Sequence, residues 1–206
     1  KSSVKSLPAL ENGYVTFGYS GRSERLNHRV FKVWGRILKR LPEARLVLDY
    51  KSFFDSKNQN YFYKFLQSYG IENSRLVLRS SENIFEALGD IDITLDSFPH
   101  SGGTMLFDAL WMGVPAVCLK GYSFLSHIGE TIAENTGLSD WIATDEEDYV
   151  VKSIKFASNP NALDNLRASL RDRLSKTPIF NADLFSHNFE LALFRMHEKA
   201  SIEGRM

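Results

Sequence analysis

Short apolar runs alternate along the sequence with segments whose apolar residues recur at helical spacing. Such alternation predicts parallel strands joined by crossover helices, because a strand that starts again from the same end of a sheet needs a long connection. The runs assigned to strands lie at residues 14–18, 45–49, 75–78, 91–95 and 115–119. The sequence therefore predicts a doubly wound α/β domain with a parallel sheet.

Helical segments follow the predicted strands, and polar residues mark where several of them begin. An N-cap side chain accepts a hydrogen bond from an N–H group of the first turn, so Asn, Ser, Thr and Asp are favoured there. Trp34 and Trp111 lie on apolar helix faces and are expected in the core. The predicted caps are Asn27, Ser80 or Ser81, Asn159, and Thr144 as the start of a Thr-x-x-Glu capping box.

Ligands of such folds bind beyond the carboxyl ends of the strands, and one loop there is most informative. Where residues 101–104 turn into a helix, several backbone N–H groups have no partner within the helix, and the helix dipole adds positive charge. Two glycines leave no side chain to keep an anion away, and two hydroxyls add donors. The phosphate-binding candidates are Ser101, Gly102, Gly103 and Thr104.

Asp108 follows one helical turn after this loop. Its carboxylate only accepts hydrogen bonds, which suits the two hydroxyls of a ribose. Phosphate donors beside a ribose acceptor indicate a nucleotide site. Gly-rich turns between a strand and a helix are also common where no ligand binds, and on this pattern alone the two interpretations are balanced. Asp96, which closes the preceding strand, is interpreted as a residue that ties down the loop.

Composition and charge exclude some classes of partner. The 206 residues include 25 Lys and Arg against 25 Asp and Glu, so no bulk field attracts the chain to nucleic acid or to a membrane. No run approaches the roughly 20 apolar residues of a membrane span. The one cysteine, Cys118, lies in an apolar run, which suits a buried thiol in a reducing compartment, and we expect a cytoplasmic protein.

Three motifs of the central stretch together resemble the catalytic region of the O-GlcNAc transferases, particularly their bacterial members. The motifs are residues 95–99 (Leu-Asp-Ser-Phe-Pro), 102–104 (Gly-Gly-Thr) and 108–115 (Asp-Ala-Leu-Trp-Met-Gly-Val-Pro). The similarity extends over roughly residues 14–197, so it covers nearly the whole chain.

This resemblance implies a fold and an activity. The O-GlcNAc transferases are inverting, metal-independent enzymes with two Rossmann-like lobes (the GT-B arrangement), and their C-terminal lobe holds the UDP of UDP-GlcNAc. The chain is expected to be such a C-terminal lobe: residues 1–12 a linker or crossover segment, 13–180 the Rossmann-like nucleotide-sugar-binding lobe, and 181–206 a C-terminal helix and tail. The expected partners are a UDP-sugar, a protein Ser/Thr hydroxyl as acceptor and the N-terminal lobe of the parent protein, with no metal or other cofactor.

The resemblance also implies roles for individual residues. Gly103 and Thr104 fall where the family binds the diphosphate, and Asp108 falls on its ribose-binding aspartate. Arg25 falls on a lysine that acts on the leaving diphosphate, and Arg22 falls on a neighbouring glutamine. An arginine keeps the charge and grips phosphate with two N–H groups. Arg25 is therefore the predicted catalytic residue, and Arg22 a predicted phosphate contact.

Other positions depart from the family. Residues 79–84 (Arg-Ser-Ser-Glu-Asn-Ile) lack the His and Lys that the family places beside the uracil, so either another residue holds the base or the nucleotide differs. Ser126 and His127 fall on a Ser-Arg pair near the sugar and phosphate.

Two alternative functions stay open. One is a transferase of the same fold that modifies glycans or Asn, and the other is a non-catalytic nucleotide-sugar-binding module.

Overall fold

The computed structural model describes residues 3–204, and a six-stranded parallel sheet forms its centre. The strands are β1 Thr16–Ser20, β2 Arg45–Asp49, β3 Leu76–Arg79, β4 Ile93–Leu95, β5 Ala116–Leu119 and β6 Ile142–Ala143. Their order across the sheet is β3-β2-β1-β4-β5-β6, and every pairing is parallel. The predicted doubly wound α/β fold is confirmed.

Helices precede, connect and follow the strands, and all except the last of them bury residues in the domain. They are α1 Pro8–Asn12, α2 His28–Arg40, α3 Ser56–Gln67, α4 Ile84–Ala87, α5 Thr104–Trp111, α6 Phe124–Asn135, α7 Glu146–Ala157, α8 Pro160–Leu174 and α9 Ala182–Ile202. Trp34 of α2 is fully buried among these elements and contacts the rings of Tyr19 and Phe31, as expected of a core residue. Cys118 of β5 is buried too, which confirms its predicted place.

The strand order reverses between β1 and β4. The chain moves outward from β1 through β2 to β3, returns to β4 beside β1, and then moves outward again to β6. The connections that leave β1 and β4 at their carboxyl ends therefore diverge, and a crevice opens between them. The segments after these two strands contain Arg22, Arg25 and the predicted phosphate loop.

The five strands predicted from the sequence do not include β6, so the prediction is corrected here. It consists of Ile142 and Ala143, which pair with Cys118 and Leu119 of β5. Two residues are too few to show an alternating pattern or an apolar run. Only the pairing with a neighbouring strand defines this edge of the sheet.

Asn27 and Asn159 cap their helices as predicted. The Asn27 Oδ1 atom accepts hydrogen bonds from the N–H groups of Arg29 at 3.0 Å and Val30 at 3.3 Å. The Asn159 Oδ1 atom accepts one from the N–H group of Ala162 at 3.1 Å. Both bonds satisfy donors of the first helical turn that the helix itself leaves unpaired.

The predicted cap of α4 at Ser80 or Ser81 is wrong. Asn83 caps this helix, with its Oδ1 atom accepting from the N–H group of Phe85 at 3.1 Å. Ser81 is already engaged, because its N–H and hydroxyl groups both donate to Asp49, at 2.9 and 2.6 Å. The loop after β3 therefore runs further before the helix begins.

The predicted capping box at Thr144 is also displaced by one residue. Asp145 caps α7, with its Oδ1 atom accepting from the N–H group of Asp148 at 2.8 Å. Thr144 directly follows β6, and its N–H group donates to the Asp148 Oδ2 atom at 2.9 Å. The unrecognised strand thus explains the misplaced helix start.

Trp111 is not a core residue, contrary to expectation. Its side chain is 37% exposed at the end of α5. One face stacks on Phe180, with ring centroids 5.6 Å apart and planes 12° from parallel, and the Arg171 guanidinium lies 5.1 Å from the ring centroid. The apolar helix face predicted a buried side chain, but the segment that follows α8 covers the Trp111 ring only partly.

The segment before β1 is attached to the domain by side-chain hydrogen bonds. Leu7 is fully buried, and its N–H group donates to Asp164 at 3.1 Å. The buried carboxylate of Asp92 accepts from the N–H groups of Ala9 at 2.9 Å and Thr16 at 2.7 Å. Burial raises the pKa of Asp92, and these two N–H donors partly oppose the rise.

Helix α9 differs from the other long helices because none of its residues is buried. Phe185 and Phe189 stack on each other with centroids 6.1 Å apart, yet each remains 55% exposed. None of the helices in residues 3–204 combines the length and apolarity that crossing a membrane requires.

Candidate functional site

The loop between β4 and α5 presents free backbone donors at the start of α5. Within the described part of the chain, no group accepts a hydrogen bond from the N–H groups of Gly103, Thr104 or Met105. The Gly103 backbone is open as well, because a Cβ atom added there would have only one atom, of Ile128, within 4.0 Å. Unpaired N–H groups at a helix start attract an anion. The sequence reasoning identified Gly103 and Thr104 and did not name Met105.

Asp96 secures this loop from below. Its Oδ1 atom accepts from the N–H groups of Ser97 at 2.9 Å and Gly102 at 2.7 Å, and its backbone carbonyl accepts from the Tyr149 hydroxyl at 2.9 Å. Complete burial raises the pKa of Asp96 to about 7, although the N–H donors of Gly102 and Ser97 oppose the shift. The interpretation of Asp96 as the residue that ties down the loop is confirmed.

Ser101 and Gly102 lie in the same loop, but their donors are used inside the protein. The Ser101 N–H group donates to the Leu125 carbonyl at 3.1 Å, and its buried hydroxyl lies 3.5 Å from the Ser126 carbonyl oxygen. The Gly102 N–H group is the one bound by Asp96. Both residues thus use their N–H groups to hold the loop in shape, and the free donors belong to the residues that follow.

Arg22 and Arg25 lie beside this loop, in the segment that follows β1. Both line a cavity of about 450 Å³ together with Ser101, Gly103 and Thr104, and we call it the β1–β4 cavity. The Arg25 Nη1 atom donates to the Ser101 carbonyl at 3.3 Å, while its buried Nε atom has no partner among the described residues. No described carboxylate forms an ion pair with either arginine.

Residues from β2 and β3 complete the other side of the β1–β4 cavity. Tyr50 and Lys51 line it directly after β2, and Ser81 lines it after β3. The buried Asp49 carboxylate fixes this wall, because it accepts from Arg79 Nε at 2.8 Å and from both donors of Ser81. Sequence reasoning did not single out Tyr50 or Lys51, although their position at the carboxyl end of a parallel strand was a usable signal.

Asp108 lies on α5 one turn beyond Thr104, which places the two residues on the same helix face. Its side chain is half-buried, burial raises its pKa, and no described residue donates a hydrogen bond to its carboxylate. It does not line the β1–β4 cavity, so it stands next to the gathered residues rather than among them.

A second cavity of about 780 Å³ lies at the carboxyl ends of β5 and β6, and we call it the β5–β6 cavity. Neighbouring residues of α6 face the two cavities: Ile128 lines the β1–β4 cavity and His127 lines the β5–β6 cavity. Ser126 is buried and completes a capping box with Ser123 at the start of α6. Among residues 3–204, no group of three or more His, Cys, Asp and Glu side chains is arranged to hold a metal ion.

The fold and the donor groups define a class. A parallel sheet of this order is a Rossmann-like α/β domain. The crevice at its strand-order reversal holds free N–H groups and two arginines, which are donor groups that suit an anion. The family model for glycosyl transferase family 41 matches residues 9–189 of the chain. The chain belongs to this family, and the predicted resemblance to the O-GlcNAc transferases is confirmed.

Individual relatives agree with the family assignment. The chain is 36% identical over 192 residues to the SPINDLY protein of Solanum lycopersicum, named a probable UDP-N-acetylglucosamine–peptide N-acetylglucosaminyltransferase; the match covers 91% of this chain and 20% of that protein. It is 22% identical to the UDP-N-acetylglucosamine–peptide N-acetylglucosaminyltransferase of Caenorhabditis elegans, over 92% of this chain and 16% of the relative. The chain therefore spans about a sixth to a fifth of the length of these relatives.

A solved structure matches the fold over nearly the whole chain. It is a variant of the O-GlcNAc transferase of Thermobaculum terrenum, with a TM-score of 0.86 and 29% identity over 93% of this chain and 38% of that one. A sucrose-phosphate synthase from Thermosynechococcus elongatus matches with a TM-score of 0.62 at 14% identity, which shows the shared fold alone.

Proposed function

We propose that the chain is the donor-binding C-terminal lobe of a GT-B glycosyltransferase that moves GlcNAc, or a related sugar, from a UDP-sugar to a Ser/Thr hydroxyl of a protein, with inversion. One observation carries the proposal. Three unpaired N–H groups at the start of α5 and the side chains of Arg22 and Arg25 converge on the β1–β4 cavity. This is a site for a diphosphate.

Arg25 supports the chemical step in this proposal. When the sugar leaves UDP, negative charge grows on the β-phosphate, and fixed donors placed there lower the barrier. The unpartnered Nε atom of Arg25 and the N–H groups of Gly103 and Thr104 supply donors and charge without a metal ion. Arg22 adds a second cation, and Ser101 and Gly102 hold the loop in shape.

Asp108 and the wall after β2 support the nucleotide part of the proposal. The unpartnered carboxylate of Asp108 is a suitable acceptor for ribose hydroxyls. Tyr50 and Lys51 occupy the wall opposite the phosphate loop, where they replace the His and Lys that residues 79–84 lack. A uracil stacked on Tyr50 fits this arrangement.

The remaining parts of the reaction belong to other components. The proposed partners are an N-terminal GT-B lobe, a UDP-sugar and a protein acceptor, with neither nucleic acid nor membrane, and the proposed location is the cytoplasm. Because attack on the sugar occurs in a cleft between two lobes, we expect the chain alone to bind nucleotide weakly and to transfer no sugar. Transfer by the purified chain would contradict this division.

Calorimetric titration with UDP, UDP-GlcNAc, GDP and ADP tests the proposal. We expect preferential binding of UDP compounds, weakened about 10-fold in Asp108→Ala, since a lost hydrogen bond to a charged group is worth about 1.5 kcal/mol. Asp172→Ala, an exposed change on α8, is the matched control. Preference for GDP or ADP would change the donor, and absence of nucleotide binding by the complete protein would favour the non-catalytic alternative.

A further inference from the structure

Both cations of the β5–β6 cavity are paired with glutamates. Lys120 Nζ lies 2.7 Å from Glu130 Oε1, and Arg29 Nη2 lies 2.7 Å from Glu146 Oε1. Asp145 is engaged as the cap of α7. Neither cation of the cavity is therefore free, and the lining also carries the carboxylates of Asp145 and Glu147. The cavity offers a phosphate no unpaired positive charge and suits a polar ligand without negative charge.

His127 is held at the border of this cavity by a buried carboxylate. Its Nδ1 atom lies 2.6 Å from Glu130 Oε2, and Glu130 is only 7% exposed. Burial alone would raise the pKa of Glu130, but Lys120 and His127 lower it below its usual value, so Glu130 stays ionised. An ionised carboxylate on Nδ1 fixes the proton there and leaves Nε2 as the free acceptor. No described residue hydrogen-bonds to Nε2.

The same turn of α6 connects His127 to the proposed donor site. His127 precedes Ile128, which lines the β1–β4 cavity within 4.0 Å of where a Gly103 side chain would begin. Leu125, two residues earlier, accepts the Ser101 N–H bond. The ring of Tyr122, fully exposed beside His127, adds an aromatic surface at the rim of the β5–β6 cavity.

We propose that the β5–β6 cavity receives the acceptor, a neutral peptide segment with a Ser or Thr hydroxyl, and that His127 is the catalytic base with Glu130 as its positioning residue. The inference rests on the proposed function. The His127 Nε2 atom takes the hydroxyl proton while the acceptor oxygen bonds to the anomeric carbon. The bond from that carbon to the β-phosphate oxygen breaks, and its electron pair leaves with UDP, so atoms and charges balance.

The test uses the complete protein, with UDP-GlcNAc as donor and an uncharged, end-blocked Ser/Thr peptide as acceptor. His127→Asn should lower kcat by about 10²-fold or more, the usual contribution of a general base, and leave UDP affinity unchanged within twofold. His187→Asn, an exposed change on α9, is the matched control. Tyr122→Ala should raise the KM for the peptide with little effect on kcat. The Tyr122 ring lines the rim of the cavity and is fully exposed, so its loss removes a surface for the peptide without disturbing the fold.

Glu130→Gln separates positioning from simple structural support. We expect about a 10-fold loss of kcat with an unchanged KM for the peptide, because the imidazole loses the carboxylate that holds its proton on Nδ1. Glu134→Gln, one turn further along α6, should leave both quantities unchanged.

Each outcome bears on one proposal or the other. Unchanged kcat in His127→Asn, or a Glu130→Gln variant whose loss appears in KM rather than in kcat, would overturn the role of His127. Loss of UDP affinity in a His127→Asn protein of wild-type thermal stability would move His127 to the donor site and overturn the acceptor assignment. If His127→Asn unfolds, His127→Gln takes its place. A wild-type protein that binds UDP but transfers no sugar would instead contradict the proposed function.

Discussion

The β1–β4 and β5–β6 cavities open at the same edge of the sheet, but their charged groups are arranged differently. In the β1–β4 cavity, Arg22 and Arg25 have no described acidic partner, and three backbone N–H groups are free. In the β5–β6 cavity, Arg29 and Lys120 are paired with glutamates. Unpaired cations and donors attract an anion, whereas paired cations offer an anion no free positive charge. The difference teaches that charge pairing, rather than the number of charged residues, separates the two kinds of site.

The largest effect is expected at the unpaired cation. Arg25→Ala should lower sugar transfer by the complete protein by about 10²–10³-fold, or about 2.7–4 kcal/mol, the usual cost of removing one donor to a developing negative charge. Arg25→Lys should retain more activity, since it keeps the charge. Arg36→Ala, a half-exposed arginine of α2 that pairs with Glu147, is the control. Initial rates at saturating donor check this, and transfer within twofold of wild type would contradict the role of Arg25.

The next effect concerns Asp96, which supports the loop that forms one wall of the β1–β4 cavity. Its pKa is about 7 in the folded protein against 3.8 for an unperturbed Asp, so the folded state binds more protons between these values. The contribution of Asp96 to stability is therefore lost as pH rises. Between pH 5 and pH 8 the free energy of unfolding of wild type should fall by roughly 2.5 kcal/mol relative to Asp96→Asn.

Urea unfolding of both proteins at several pH values measures this difference. Asp148, whose pKa is lowered and which lies at the exposed start of α7, provides a control of opposite sign. Parallel stability curves for wild type and Asp96→Asn would show that Asp96 titrates normally.

The smallest effects distinguish two adjacent glycines of the phosphate loop. Gly103→Ala should weaken UDP binding about 10-fold, or about 1.4 kcal/mol, with little change in stability, because its Cβ atom enters the open cavity beside the free N–H groups. Gly102→Ala should instead cost stability, roughly 1 kcal/mol, because its Cβ atom would lie 3.1 Å from Leu106 and 3.2 Å from Asp96.

Calorimetry and urea unfolding of the two variants separate these effects. We assign free donors to Gly103 and a packed position, with its N–H group bound to Asp96, to Gly102. Equal losses of UDP affinity in the two variants, without any loss of stability, would contradict this assignment. Peptide affinity at the β5–β6 cavity should not change in either variant, which tests the independence of the two cavities.

Local patterns predicted most of the fold. Alternating apolar runs located five of the six strands, and the caps at Asn27 and Asn159 follow from the short-range preference of Asn for an N-cap. The exception is instructive. β6 exists because two residues meet β5, and the cap of α7 moved by one residue as a result. An element defined by a distant neighbour leaves no local signal.

The candidate site was predictable to the same extent. The motifs located the predicted phosphate loop and the family resemblance pointed to both arginines, and the structure places these residues around one cavity. Tyr50 and Lys51 could have been found from their place after β2, and Glu130 from its helical spacing of three residues from His127. Lys120, however, meets Glu130 only because β5 ends beside α6.

By itself, the sequence determined the class of fold, the family and the position of the loop proposed to bind an anion, because these depend on periodicity, on glycines and on residues close in the chain. Only the tertiary structure decided which donors of that loop are free. Asp96 and Leu125 accept hydrogen bonds from the N–H groups of Gly102 and Ser101. The free donors are therefore those of Gly103, Thr104 and Met105. A backbone donor has one hydrogen to share, and the folded chain decides whether a protein atom or a ligand receives it.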